Sequence, residues 1–422
     1  MKQFFTILLV CIVLQAFPQF DNYFLPKTLR LDYFHSGNAT EEIYSFDELI
    51  EEPYWGGSLV NMIDTFGFGQ YFVKVIDKQS GSLIYSSGYS SLFSEWQTTA
   101  EAQKTWRTYS ESIVMPYPKN DVDVEIWSRD RKGIFTKKFT YPVQIKDYFI
   151  NKQQRSIYPA FDVLNSGDPS IKVDIVIIPE GYTESEMELF KADCRKFADE
   201  MFSFSPYSEF KNKFNIRGIL APSVESGTDI PADGIWKNTV VNSRFYTFDL
   251  ERYCMTSDFK SLRDVAANAP YDQIYVLINS SKYGGGAIYN HYSMSVNSNK
   301  AAGKIFIHEF GHGFAGLGDE YYNSAVAYND FYPAGVEPWE PNITTLIDFE
   351  RKWKDMIPEN TPIPTPDDEK YRSQTGVFEG GGYASKGIYR PRVDCMMNTF
   401  NGNIFCDPCV RAIRKMIDFY CK

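Results

Sequence analysis

Histidine is scarce in this 422-residue chain, which has only His35, His291, His308 and His312. Positive charge is in deficit too, with 43 Lys and Arg against 54 Asp and Glu, a net charge of −11. That balance argues against a nucleic-acid binder held by phosphate contacts. No glycine pattern of the Walker or dinucleotide type stands between a strand and a helix, and Gly284-Gly285-Gly286 is not one. Beyond the N-terminus no segment is long and apolar enough to span a bilayer. No internal repeat and no low-complexity tract is present. There is one CxxC, Cys406-Asp-Pro-Cys409, and no second to complete a zinc knuckle.

What is present is an ordinary globular composition, 43% hydrophobic and 23% charged, with aromatics high at 16%. At the N-terminus one lysine precedes an apolar run from Phe4 to Phe17. The run is too short for a membrane span and has the form of a signal peptide, read as residues 1–19. Cleavage at Ala16 or Gln19 is possible, and an uncleaved anchor is the alternative. The mature protein is expected to be secreted, periplasmic or on the cell surface, without stable membrane association. Six cysteines would remain, Cys194, Cys254, Cys395, Cys406, Cys409 and Cys421, and 15 pairings are open to six cysteines. A structural disulfide or buried thiols are expected for the CxxC.

Residues 20–160 alternate with period two, as in Tyr71-Phe72-Val73-Lys74-Val75-Ile76 and Val122-Asp123-Val124-Glu125-Ile126-Trp127. Polar turns separate the runs, so an antiparallel β-sandwich is expected there, either positioning and recognising or merely stabilising. A turn-rich connector, Asn165 to Ser170, marks the change to alternating strand and helix in residues 161–422. Val173 to Ile178, Phe214 to Leu220, Gln273 to Ile278 and Ala287 to Val296 read as strands of a twisted, mostly parallel sheet. Met187, Phe190, Cys194, Phe197 and Met201 line one face of a helix capped by Thr183 and Glu186. Pro333 to Pro366 reads as an irregular surface excursion. A last helix, Pro408 to Tyr420, turns Val410, Ile413 and Ile417 to one side.

The informative stretch is HEFGHGFAGLGDEY, His308 to Tyr321. On a helix from about Asn299 to Gly316, His308 and His312 stand one turn apart on one face, able to share a zinc ion. Glu309 lies beside them, placed to take a proton from a zinc-bound water. Catalytic zinc commonly has three protein ligands, and no histidine follows His312. The third should then be a carboxylate. Asp319 is best placed, Glu320 is the first alternative, and Glu337, Glu340 and Glu350 are weaker ones. Tyr289, Tyr292, Tyr321, Tyr383 and Tyr389 are candidates to stabilise an oxyanion, and His291 to touch substrate, although a structural histidine is the plainer reading.

With RPRVDCMMN (Arg390 to Asn398) and FCDPC (Phe405 to Cys409), this stretch resembles the immunoglobulin A peptidase family of metzincin-like zinc peptidases. The resemblance covers about Ile171 to Lys422 well and the N-terminal half loosely. It implies an α+β and α/β architecture, an antiparallel β-sandwich followed by a metzincin-like peptidase domain. It also implies a zinc endopeptidase acting on protein or peptide substrates. His308 and His312 would hold zinc, Glu309 would be the general base, and Met397, or Met396, would form a turn under the metal. The common metzincin pattern places its glycine and third ligand at Ala315 and Gly318, whereas here the Gly-x-x-acid unit is Gly316 to Asp319. A helix one residue longer accounts for the shift. The contrasting reading is an exported surface-binding protein for glycan or host protein, with a silent peptidase fold as scaffold.

Overall fold

The computed structural model describes residues 20–323, 331–333, 335–400 and 403–422. The signal peptide expected at residues 1–19 lies outside them. Among the described residues no helix is long and apolar enough to cross a membrane.

After α1 (Phe20–Tyr23), the first half forms two antiparallel sheets. In one, β1 (Phe24–Gly37) lies between β2 (Glu42–Glu52) and β5 (Arg107–Pro118). In the other the order is β4 (Leu83–Tyr89), β3 (Tyr71–Asp77), β6 (Val122–Arg129) and β7 (Phe135–Val143). The period-two alternation is the cause. Val122, Val124 and Ile126 of β6 are buried while Asp123, Glu125 and Trp127 between them are half-buried. Leu29, Leu31, Ile113 and Met115 of the first sheet share one core with Val73, Val75, Val124 and Ile126 of the second.

The second half is built on a six-stranded sheet. Its order is β12 (Gly285–Ile288), β13 (Tyr292–Val296), β11 (Gln273–Ile278), β9 (Val173–Glu180), β10 (Phe214–Ile219) and β8 (Ala160–Leu164). The four inner strands are parallel, and the outer two are antiparallel to their neighbours. β9 is buried at every position, as an inner strand covered on both faces must be. Its alternation divides two cores. Ile175 and Ile177 face α3 (Met187–Met201), α5 (Ala302–Ala315) and α6 (Asp407–Tyr420). Val176 and Ile178 face α4 (Phe259–Ala266), together with Phe93 and Trp96 of α2 (Leu92–Trp96) and Tyr109 of β5. The N-terminal half thus closes one face of the second sheet.

α3 starts at the expected capping box between Thr183 and Glu186, and its five predicted core residues are all buried. Two readings need correction. Ala287 to Val296 is not one strand but the β12–β13 hairpin, turned at Asn290 with φ +51°. Asparagine tolerates that left-handed conformation because its side chain can bond locally. The stretch from Pro333 to Pro366 is irregular, but it is no mere surface excursion. Asn342, Ile343, Thr344 and Trp353 within it are fully buried. A further hairpin, β14 (Phe378–Gly381) with β15 (Ala384–Arg390), leads into the Met396-Met397 segment and then α6.

Candidate metal centre

α5 is fixed by its apolar side. Phe306, Phe310 and Phe314, spaced by four, enter the core beneath the sheet. Gly313 lets the helix lie close to β13, because a Cβ there would run into the Ser293 hydroxyl. Ser293 also donates to the Glu309 carbonyl at 3.0 Å. The helix ends at Gly316, whose φ of +62° is the left-handed stop that glycine takes without strain.

The turn after Gly316 acts back on the helix. The carbonyl of Leu317 accepts from His312 Nδ1 at 2.5 Å. The carbonyl of Met396 accepts from His308 Nδ1 at 2.9 Å. A carbonyl can only accept, so the proton of each ring sits on Nδ1 and the Nε2 lone pairs are left facing inward. The two Nε2 atoms lie 3.1 Å apart. Asp319 Oδ1 lies 3.2 Å from one and 3.3 Å from the other. Apart from the two imidazoles, no hydrogen-bond donor reaches that buried oxygen among the described residues. Its partner Oδ2 accepts from the Tyr383 hydroxyl at 2.6 Å.

In the neutral rings, three lone-pair atoms thus converge on one point. Ligands about 2.0–2.1 Å from a tetrahedral ion stand about 3.3–3.4 Å apart, close to these spacings. The residues present therefore fit a divalent cation. A Glu309 carboxylate oxygen lies within 4.8 Å of a ring nitrogen of each histidine.

The alternative acids are engaged elsewhere. Glu320 turns away from the triangle to accept from Asn342 at 2.9 Å. Glu337 accepts from Thr345 at 2.9 Å and Glu340 from Tyr332 at 3.0 Å, while Glu350 pairs with Lys354 on the surface. Met396 and Met397 are both fully buried. The Met397 sulfur lies against Gly311, where an added Cβ would stand 3.1 Å from it. The Met397 carbonyl accepts from the Glu320 amide at 2.8 Å, tying this segment to the chain that carries Asp319.

The profile described as IgA Peptidase M64 matches residues 161–373 and 367–417, and that of the Peptidase M64 N-terminus matches 19–140. The chain belongs to the IgA peptidase M64 family. No curated protein matches it.

In this M64 peptidase the triangle opens on a cleft of about 870 Å³. β12 lines it from one half of the chain, while Gln70, Arg129 and Lys138 line it from the other. Charge in the centre is strongly coupled. Burial alone would depress His312, but the Asp319 carboxylate outweighs it and lifts the imidazole to about 9. Burial would raise Asp319, yet the two histidines hold it well below the usual carboxylate range. Burial raises Glu309, with the same histidines working against the rise.

Of the five tyrosines read from the sequence, Tyr289, Tyr321 and Tyr383 line the cleft. Tyr292 is buried and donates to the Thr256 carbonyl instead. Tyr389 lies on β15 outside the cleft lining. His291 is buried against Phe259, with ring centroids 4.7 Å apart, and burial lowers its pKa. It does not line the cleft, which leaves the structural reading.

Three residues of the site escaped sequence reasoning. Asn342 clamps the loop that follows α5, accepting from the Gly318 amide at 2.7 Å and donating to its carbonyl at 2.8 Å. Arg252 and Tyr283 reach the cleft from loops flanking the sheet. Tyr283 is held in its protonated form, first by burial and then by the nearby Glu309 carboxylate. A polar residue in a loop carries no period, so only the folded chain identifies these three.

Proposed function

We propose that this M64 peptidase is an exported zinc-dependent endopeptidase that cleaves peptide bonds of protein substrates. The observation that carries the reading is the triangle of His308, His312 and Asp319, with edges of 3.1–3.3 Å. It opens on a cleft beside a carboxylate.

His308, His312 and Asp319 would hold the ion, and Met397 with Met396 would form the turn beneath it. A bound zinc supplies Lewis acidity, polarising a peptide carbonyl and lowering the pKa of water towards about 7. Glu309 takes the proton from the attacking water and returns it to the leaving amine. Tyr283 offers an O–H and Arg252, which also bonds Tyr321, a cation to the developing oxyanion, while Tyr383 bonds Asp319. β12 is the outermost strand of the sheet and lines the cleft. Its Gly285 end is bonded to Arg252 and Cys254, so an extended substrate adds along Gly286 to Ile288. Residues 20–160 and 161–422 are the two units, and the first contributes a wall of the cleft.

Glu309→Gln provides the test. Hydrolysis of an unfolded protein substrate should fall by at least about 10²-fold, the usual scale for a lost acid–base group. Zinc content, measured by mass spectrometry, should stay unchanged. Activity that survives the substitution, or a wild-type protein without metal, would remove the peptidase mechanism and favour the surface-binding reading.

A further inference from the structure

A second group of ligand-type side chains lies on the far side of the Asp319 loop. Glu320, Cys395, Cys406 and Cys409 are each fully buried, and one potential ligand atom from each lies within 4.8 Å of the other three. Cys406 Sγ is 3.2 Å from Cys409 Sγ, and Cys395 Sγ is 3.9 Å from Cys409 Sγ. Glu320 Oε1 is 3.4 Å from Cys406 Sγ and 3.3 Å from Cys409 Sγ. The sulfurs are far beyond the bond length of about 2.05 Å that a disulfide requires. A tetrahedral zinc with Zn–S about 2.3 Å and Zn–O about 2.1 Å sets S···S near 3.8 Å and S···O near 3.6 Å. The S···S distances of 3.2 and 3.9 Å fall on either side of the first value, and the S···O distances of 3.3 and 3.4 Å lie just under the second.

Two details add to the geometry. The Cys406 amide donates to Cys395 Sγ at 3.3 Å, a contact that favours a thiolate over a thiol. Glu320 Oε1 also accepts from Asn342 at 2.9 Å, and the second oxygen, Oε2, is buried with no hydrogen-bond partner among the described residues, a desolvation that nothing offsets unless a cation lies beside that carboxylate. The sequence hid the group because its CxxC had no second CxxC. The missing half is supplied by Cys395, just before Met396, and by Glu320, just after Asp319.

We propose that Cys395, Cys406, Cys409 and Glu320 bind a second divalent ion, zinc by the softness of three thiolates, in a closed structural site. The ion would join three segments at one point: the Asp319 loop, the Met396-Met397 segment and the N-terminus of α6. It would thereby hold the third acid and the floor of the first centre in register. No catalytic role is assigned to it, because all four protein positions are filled and buried.

The test uses the full-length protein purified without chelator. Wild type should carry two zinc equivalents per chain, and His308→Ala should keep one. Adding Cys409→Ser to His308→Ala should bring that one to zero. Should the double variant fail to fold, cobalt exchanged into His308→Ala should show thiolate-to-cobalt charge-transfer absorption. Intact mass without reduction should show these three cysteines unpaired. A disulfide mapped to any of them, a metal-free His308→Ala or cobalt spectra without the thiolate band would overturn the second site. None of these outcomes touches the Glu309→Gln test, so the two readings fail separately.

Discussion

Tyr383 holds the acid of the triangle by its outer oxygen, leaving Oδ1 for the two rings. Such supporting bonds orient a ligand and tune its basicity. Tyr383→Phe should therefore weaken zinc binding roughly 10–100-fold, the scale typical of outer partners. Competition with a chromophoric chelator measures it, and an unchanged affinity would show that Asp319 needs no such support. His35 makes a different case, since it is neither near the centre nor idle. It is buried between Tyr44 and Phe93, at ring separations of 4.1 and 3.7 Å. Its two nitrogens meet Glu111 at 3.0 Å and Glu42 at 3.2 Å. Burial opposes its charge, but the two carboxylates win and raise its pKa. A raised folded value makes its contribution complete below the unfolded pKa of about 6.5 and lost as pH climbs through the folded one. The melting-temperature gap between wild type and His35→Gln should narrow as pH rises above about 6.5. A gap that widens would contradict the charged pairing.

Close approach governs the elements. Gly313→Ala would push a methyl group into the Ser293 hydroxyl on β13, forcing α5 away from the sheet. Overpacking of that kind costs about 1–3 kcal/mol. Ser293→Ala should relieve it, because the remaining Cβ would stand at an ordinary 3.5 Å. Urea unfolding of the two single variants and the double then gives a coupling of opposite sign to the Gly313→Ala loss. If the double variant is no more stable than the sum of the singles, the helix is not seated by that contact. The same elements show what the sequence makes legible. The helical period of Met187 to Met201 and the apolar run of Val173 to Ile178 are backbone geometries written as spacings, and both stand where expected. The four-residue spacing that stacks His308 and His312 on one face of α5 is legible for the same reason. The turn at Asn290 was hidden because no glycine or proline marks it. Asn342 and the Glu320–Cys395–Cys406–Cys409 group were hidden because their partners are remote in the chain, 86 residues apart for Glu320 and Cys406.

At the scale of the molecule the two halves are fastened by charge as well as by the shared core. Arg30 of β1 is fully buried and grips Asp32 at 2.9 and 3.0 Å, Glu52 at 3.3 Å and Asp264 of α4 at 2.7 Å. Replacing it by Met would leave Asp32 and Glu52 in the interior without that cation. Breaking a buried group of this kind costs about 3–5 kcal/mol. Chemical denaturation of Arg30→Met should show that loss in a single transition spanning both halves. Two separate transitions would mean that the halves unfold independently.

The two rings of the triangle also differ in how far along the chain their orienting carbonyls lie. His312 leans on Leu317, five residues onward, whereas His308 leans on Met396, 88 residues onward. One imidazole is aimed as soon as α5 and its glycine stop have formed. The other waits until the chain has been made at least as far as Met396 and that segment has docked. A chain that stops short of Met396 therefore carries half a claw, one ring aimed and the other loose.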